Sequence, residues 1–281
     1  MSQAASIAPA STRAEKFSKQ GWTFVGPMFD ESELDLLRDT VLGPDEMAML
    51  EGNTQTPKIE NLDEANRVYF AHHVNNRRRM MFKGNTDVRL RHPELKPLVA
   101  KAATVARELL GDEDVRILWD SVFCKPPAAE GTRPTAWHQD WVHVPLDRRG
   151  MMTIWIALYD VGEPEGCLRF VPGSHRVGPL GRPDMNGPDY DLDHLLRPSD
   201  FDLIGAPVSA PLKAGEATAH DGLLVHGAWP NMSELPRVAW TVTFIPGSTL
   251  WTGAMMPVDS LNHLGLKPLG KFDHPDLMPP N

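Results

Sequence analysis

The chain has 281 residues, 41% of them hydrophobic and 23% charged, which is enough apolar content for a sizeable core and too much for a disordered chain. Its formal net charge of −9 argues against a general nucleic-acid binder. Two cysteines, Cys124 and Cys167, cannot build a disulfide framework, and no run of about 18 apolar residues is there to span a membrane.

In chain order, residues 1–11 are small and polar and read as a loose tail. They hold no apolar stretch long enough for the core of a signal peptide, so the expected location is the cytoplasm. Thr12 with Glu15 forms a capping-box pattern, and Gly21 is placed to stop the short helix that follows. Residues 22–25 (Trp-Thr-Phe-Val) read as a strand. Asp30 and Glu33 open a second helix whose apolar face is Leu34, Leu37 and Val41, and Gly43-Pro44 ends it. Residues 44–66 are acidic and turn-forming, as in a loop. Helical periodicity returns at His92, with Pro93 early, a stripe of Leu95, Leu98, Val99, Ala102 and Leu109, and Gly111 at the close. Residues 72–108 carry nine Lys/Arg against three acids. A solvated helix face is the plain reading; the sharper one is that Arg77, Arg78 and Arg79 bind an anionic small-molecule substrate.

After Gly111 the pattern changes. Residues 115–119, 122–125, 151–159, 168–171 and 238–245 are short, rich in β-formers and separated by Pro/Gly turns, which predicts a sandwich or barrel. Residues 173–206 are rich in Gly, Pro, Asp and His, and a loop of that length predicts a lid. No repeat or linker divides the chain. The expectation is one domain over 1–281, with a helix-rich part (12–110) packed outside a β core (115–245).

The chemistry concentrates in two segments. The first is Trp137-His138-Gln139-Asp140. On an extended segment, side chains two apart share a face, so His138 and Asp140 can share one metal. A second histidine from a distant strand would complete a two-His-one-carboxylate face with open positions opposite, the arrangement of non-haem Fe(II) oxygenases. The second segment runs from Gly215 through His226 and Pro230-Asn231 to Arg237, which lies 11 residues after His226. With a turn at Pro230-Asn231, the guanidinium can return beside the metal and clamp a dicarboxylate; the plain alternative is a surface arginine at a strand start. Trp137, Trp141 and Trp155 are either pocket walls or packed core. His143 and His175 read as ordinary loop and turn residues.

Three blocks in order resemble the phytanoyl-CoA dioxygenase family of Fe(II)/2-oxoglutarate oxygenases: WHQD, GCLRFVPGSH over 166–175, and HDGLLVHGAWPN over 220–231 followed by Arg237. The resemblance covers about residues 115–245, while 12–110 match only in general pattern. It implies a mainly β fold, a double-stranded β-helix (jelly-roll, cupin-like) core with flanking N-terminal helices. It implies that His138, Asp140 and His226 bind Fe(II), that Arg237 takes the distal carboxylate of 2-oxoglutarate, and that Thr153 hydrogen-bonds the same cosubstrate. His220, six residues before His226, falls beside the metal or on the substrate side rather than among the ligands. Lys125 matches a frequent lysine of the family, though it could equally reach from a strand to water. The implied reaction consumes O2 and hydroxylates an unactivated C–H of a small organic molecule (secondary metabolite, amino acid or acyl derivative), releasing succinate and CO2. Related halogenases carry a small residue where Asp140 stands, so the carboxylate makes hydroxylation the default, with desaturation, ring closure and epimerisation left open because they depend on substrate placement. The competing readings are a cupin-type metal enzyme that does not use 2-oxoglutarate and a non-catalytic jelly-roll binding protein.

Overall fold

The computed structural model describes residues 10–44, 47, 83–128, 132–181, 192–254, 261 and 264–280. Arg77, Arg78, Arg79, most of the expected 44–66 loop and the middle of the 173–206 segment lie outside the described residues.

The N-terminal elements follow from local signals. Helix α1 (Ala10–Gln20) has Thr12 and Glu15 within its span, and it ends as expected at Gly21, with φ 78°. Strand β1 (Trp22–Pro27) follows. Helix α2 (Glu31–Val41) opens on a capping box in which Asp30 accepts from Glu33 N and the Glu33 side chain accepts from Asp30 N. Helix α3 (Val88–Arg91) is one turn, and α4 (Lys96–Leu110) closes on Gly111 in the left-handed region.

Among the described residues, nine further strands follow β1: β2 (Lys83–Thr86), β3 (Val115–Lys125), β4 (Thr135–His138), β5 (Met152–Ala157), β6 (Leu168–Phe170), β7 (Val208–Ala210), β8 (Glu216–Asp221), β9 (His226–Ala228) and β10 (Arg237–Pro246). They form a six-stranded sheet in the order β1-β8-β5-β10-β3-β2 and a four-stranded sheet in the order β4-β9-β6-β7, paired antiparallel throughout. This is the jelly-roll core that the resemblance implied.

Alternation along β5 and β10 sorts the two faces of the large sheet. Met152, Ile154 and Ile156 of β5, with Trp240, Val242 and Phe244 of β10, pack outward against Leu98, Val99, Ala102, Ala103 and Ala106 of α4. Thr153, Trp155, Thr241 and Thr243 face inward and line a cavity between the sheets. The helices therefore seal one face of the large sheet and leave the other to the cavity.

Several features differ from the sequence expectation. The stretches 115–119 and 122–125 are one strand, β3, with no turn at Asp120-Ser121. Asp120 is fully buried and accepts from Trp240 Nε1 at 2.8 Å and from Arg89 Nη1 at 2.8 Å, so a residue type usual in turns is held inside by charge-assisted bonds. Part of the basic stretch is likewise not a solvated face, because Arg89 is buried on Asp120 and Asp87 and donates from Nη2 to Asp276 O at 2.6 Å. Lys125 does not reach water. It is fully buried, with Nζ donating to Arg133 O at 2.9 Å, Trp229 O at 3.0 Å and Thr135 Oγ1 at 3.2 Å.

Removing Asp120 leaves a buried guanidinium with one carboxylate instead of two and an indole N–H without its acceptor. Asp120→Ala should cost about 3 kcal/mol of stability. Chemical denaturation checks this, and a loss under 1 kcal/mol would show that the network is not a structural tie.

Candidate metal centre

Strands β4 and β9 pair so that His138 and His226 are direct cross-strand partners. Gly227 permits the approach, since a Cβ there would stand 2.6 Å from Thr135 O. The two imidazole centroids are 4.2 Å apart. Each ring is oriented by a carbonyl two residues earlier: His138 Nδ1 lies 2.8 Å from Ala136 O, and His226 Nδ1 lies 3.0 Å from Leu224 O. A carbonyl only accepts, so Nδ1 carries the hydrogen in both rings and both Nε2 lone pairs are left for a ligand.

Asp140 joins them by a different route from the one the His-x-Asp spacing suggests. Strand β4 ends at His138, and Asp140 is helical (φ −69°, ψ −40°) at the head of a 3-10 turn, Trp141–His143. The turn, rather than strand alternation, brings its Oδ1 to 3.4 Å from His138 Nε2 and 3.6 Å from His226 Nε2. One ligand atom from each of the three residues lies within 4.8 Å of the others. Ligand bonds of about 2.0–2.2 Å bring such atoms onto one ion with small adjustments, and two imidazoles plus a carboxylate suit iron(II). Burial pushes the Asp140 carboxyl up, but His226, His138 and His220 outweigh it and hold the group well below the usual carboxylate range. Burial, followed by His138, pushes His226 well below the ordinary imidazole value. Both groups are thus held in the forms that bind metal.

Arg237 opens β10 and is buried, with Nε and Nη1 lacking any hydrogen-bond partner. Its Cζ lies 5.2 Å from the centroid of the Trp155 ring. Burial draws its pKa down to about 10. The turn that aims it is fixed by buried Asn231, whose Nδ2 donates to Lys125 O and Leu235 O and whose Oδ1 accepts from Ser233 N and Oγ. Arg237, His138, Asp140 and His226 line one cavity of about 370 Å³, with Trp119, Phe123, Val144 and Trp155 among its walls. A guanidinium with free donors beside a ligand set fits a dicarboxylate bound to the metal at one end and to Arg237 at the other. Thr153 lines the same cavity, its Oγ1 3.0 Å from Thr243 Oγ1 and 3.5 Å from Asp140 Oδ2.

Other residues sort as follows. Trp155 is at the cavity; Trp137 turns to the opposite side of β4 and stacks on Arg169, and Trp141 bonds Arg148 O. His143 lines the cavity, which a loop position alone did not indicate, while His175 bonds Ser18 O. Two residues that the motif reading left without a role hold the centre together. Gln139, between His138 and Asp140 and buried, donates to Gly178 O and Leu223 O and accepts from Leu180 N. Ser174 Oγ accepts from Val225 N at 2.7 Å, next to His226. No described residue of 173–206 lines the cavity; part of that segment forms short helices, Ser174–Arg176, Leu192–Leu195 and Pro198–Leu203.

Residues 17–239 match the family model of phytanoyl-CoA dioxygenase (PhyH), and the chain belongs to that family. A probable alpha-ketoglutarate-dependent hypophosphite dioxygenase of Stutzerimonas stutzeri is 28% identical over 49% of this chain and 47% of its own length. The phytanoyl-CoA dioxygenase domain-containing protein 1 of Danio rerio is 34% identical over 41% of this chain and 40% of its own length. The matches thus span less than half of these relatives. Among solved structures, the non-heme alpha ketoglutarate dependent carbocyclase SnoK from nogalamycin biosynthesis superposes with a TM-score of 0.72 at 23% identity, covering 97% of this chain and 96% of that one. The corresponding epimerase SnoN gives 0.66 at 19% identity, covering 95% and 97%. At these identities the likeness shows the fold.

The ligand geometry leads to a direct test. The protein should bind one Fe(II) per chain under anaerobic conditions, and His138→Ala, Asp140→Ala and His226→Ala should each bring bound iron down to background. Undiminished binding in one variant would remove that residue from the ligand set.

Proposed function

We propose that this member of the phytanoyl-CoA dioxygenase family is an iron(II)- and 2-oxoglutarate-dependent oxygenase that hydroxylates an unactivated C–H of a small organic molecule. The observation that carries the reading is the pairing, in one cavity, of three converging ligand atoms with a buried arginine that has unused donors. Iron(II) bound by His138, Asp140 and His226 would supply activation of dioxygen, coupled to decarboxylation of 2-oxoglutarate to succinate and CO2 and to oxidation of the substrate.

The chain's own residues prepare for this. His138 and His226 present bare Nε2 atoms because their Nδ1 hydrogens are taken by backbone carbonyls. Arg237 gives the distal carboxylate of 2-oxoglutarate two directed bonds and a charge that burial has left uncompensated. Thr153 offers a hydroxyl to the same cavity, beside Asp140. Trp155 flanks Arg237 and helps to exclude water from that end.

The substrate occupies the remaining wall. Trp119, Phe123 and Val144 make that wall apolar, and Ser121, Thr86 and His143 place a few polar groups on it. Apart from Asp140 and Arg237, no described lining residue is an acid, lysine or arginine. An organic substrate presenting an apolar face to the iron fits this wall; Arg77, Arg78 and Arg79, for which an anion-binding role was raised, lie outside the described residues. Asp140 fills the position that a halide would need, which favours hydroxylation as the outcome.

Anaerobic addition of 2-oxoglutarate to the Fe(II) protein should produce a weak visible charge-transfer band, from which its binding can be titrated. Arg237→Ala should weaken that binding by about 2–4 kcal/mol while iron still binds, because a buried carboxylate loses its partner. Absence of the band in the wild-type protein, or an unchanged titration in the variant, would favour a cupin-type enzyme working without 2-oxoglutarate.

A further inference from the structure

One buried imidazole at the centre is not among the mutually close ligand atoms. His220, on β8, is 2% exposed and lies directly across from Thr153 on β5, which in turn pairs with Thr243 on β10. Cross-strand partners project to the same face, so the large sheet presents a row of Thr243, Thr153 and His220 to the metal centre carried by the small sheet. The row meets Asp140. His220 Nε2 lies 3.3 Å from Asp140 Oδ2, and Thr153 Oγ1 lies 3.5 Å from the same oxygen. The other oxygen, Oδ1, is the one that faces His138 and His226.

We propose that His220 is a positioning residue that holds Asp140 in one-oxygen ligation, by donating from Nε2 to Oδ2 so that Oδ1 alone faces the metal. The inference rests on reading His138, Asp140 and His226 as the ligands. An ionised carboxylate only accepts, so the bond requires the hydrogen on Nε2. His220 Nδ1 has no partner, so no second bond pulls the ring toward the other tautomer. The ring is wedged between His226, at 4.4 Å between centroids, and Phe170, at 5.6 Å, which fixes its plane. A fourth-ligand role does not suit this placement, because Nε2 sits behind the carboxylate on its far oxygen.

The consequence is a coordination position. Iron held by one atom from each of His138, Asp140 and His226 would keep positions open for a keto acid and for oxygen. A carboxylate that swings to bind through both oxygens takes one of these. Held by His220, Oδ2 cannot turn inward without losing its charge-assisted bond.

The test uses full-length protein and two readouts other than turnover. Co(II) affinity is measured by anaerobic titration without cosubstrate, and the Fe(II)–2-oxoglutarate band is recorded at saturating metal. His220→Phe keeps an aromatic ring beside Phe170 and removes the donor; it should weaken Co(II) binding by about 10–100-fold and reduce the band even with the metal site full. His220→Gln carries an amide N–H at similar reach and should restore both. Wild-type behaviour of His220→Phe would overturn the inference, as would failure of the Gln variant to recover. Three metal-bound imidazoles in pulsed EPR of the Cu(II)-loaded wild-type protein would overturn it by making His220 a ligand. If His220→Phe does not fold, His220→Gln decides alone, since a tenfold or larger loss there refutes the role of the donor. Failure of the wild-type protein to bind metal would instead refute the ligand assignment itself.

Discussion

The site depends first on the register between β4 and β9. A single pairing, His138 opposite His226, sets both Nε2 atoms toward one point. A one-residue slip would send one imidazole to the opposite face of the small sheet, where Trp137 stacks on Arg169. The register is held from several directions at once. Gly227 admits the Thr135 carbonyl at a distance no side chain would allow, Val225 is bonded through its N–H to Ser174 Oγ, and Gln139 ties the strand's exit to Gly178, Leu180 and Leu223. The WHQD, PGSH and VHG blocks, far apart in the chain, are thus parts of one clamp.

The second constraint is charge. The described cavity wall carries one carboxylate and one guanidinium, and each is placed where the proposed ligands need it. Asp140 stays ionised because imidazoles surround it, although burial opposes the charge. Arg237 stays charged at neutral pH with its pKa drawn down only to about 10, and two of its donor nitrogens have no protein partner. An orphaned buried donor costs about 1–3 kcal/mol, so the fold carries a penalty that a bound carboxylate would relieve. The arginine is therefore better explained by a ligand than by the stability of the protein alone.

Much of this was legible in the sequence, for identifiable reasons. Helix α2 and the end of α4 carry their own stop and start signals, Asp30 with Glu33 and Gly111, and these depend on a few adjacent residues. Strands β5 and β10 are dense in β-formers. Strand β8, Glu-Ala-Thr-Ala-His-Asp, is not, and it is a strand because β1 and β5 flank it on both sides. Residues 115–119 and 122–125 read as two strands because the partners of Asp120 between them, Arg89 and Trp240, are 31 and 120 residues away. Lys125 likewise looked fit to reach water, and it is the backbone carbonyls of Arg133 and Trp229 that enclose it. Local signals were readable, and long-range compensation was not.

The same distinction explains the histidines. His138 and His226 stand out by motif, and the structure adds what the motif cannot, the carbonyl at i−2 that fixes each tautomer. His220 has no such carbonyl on Nδ1, and its Nε2 lies beside the carboxylate of another strand's turn. Three chemically identical side chains within one small volume are thus set to different tasks by which nitrogen the backbone has occupied. Where Nδ1 is spent on a carbonyl, Nε2 is free to bind metal; where Nδ1 is unpartnered, Nε2 is spent on Asp140. That difference lies in hydrogen bonding rather than in residue identity, and a count of histidines alone does not reveal it.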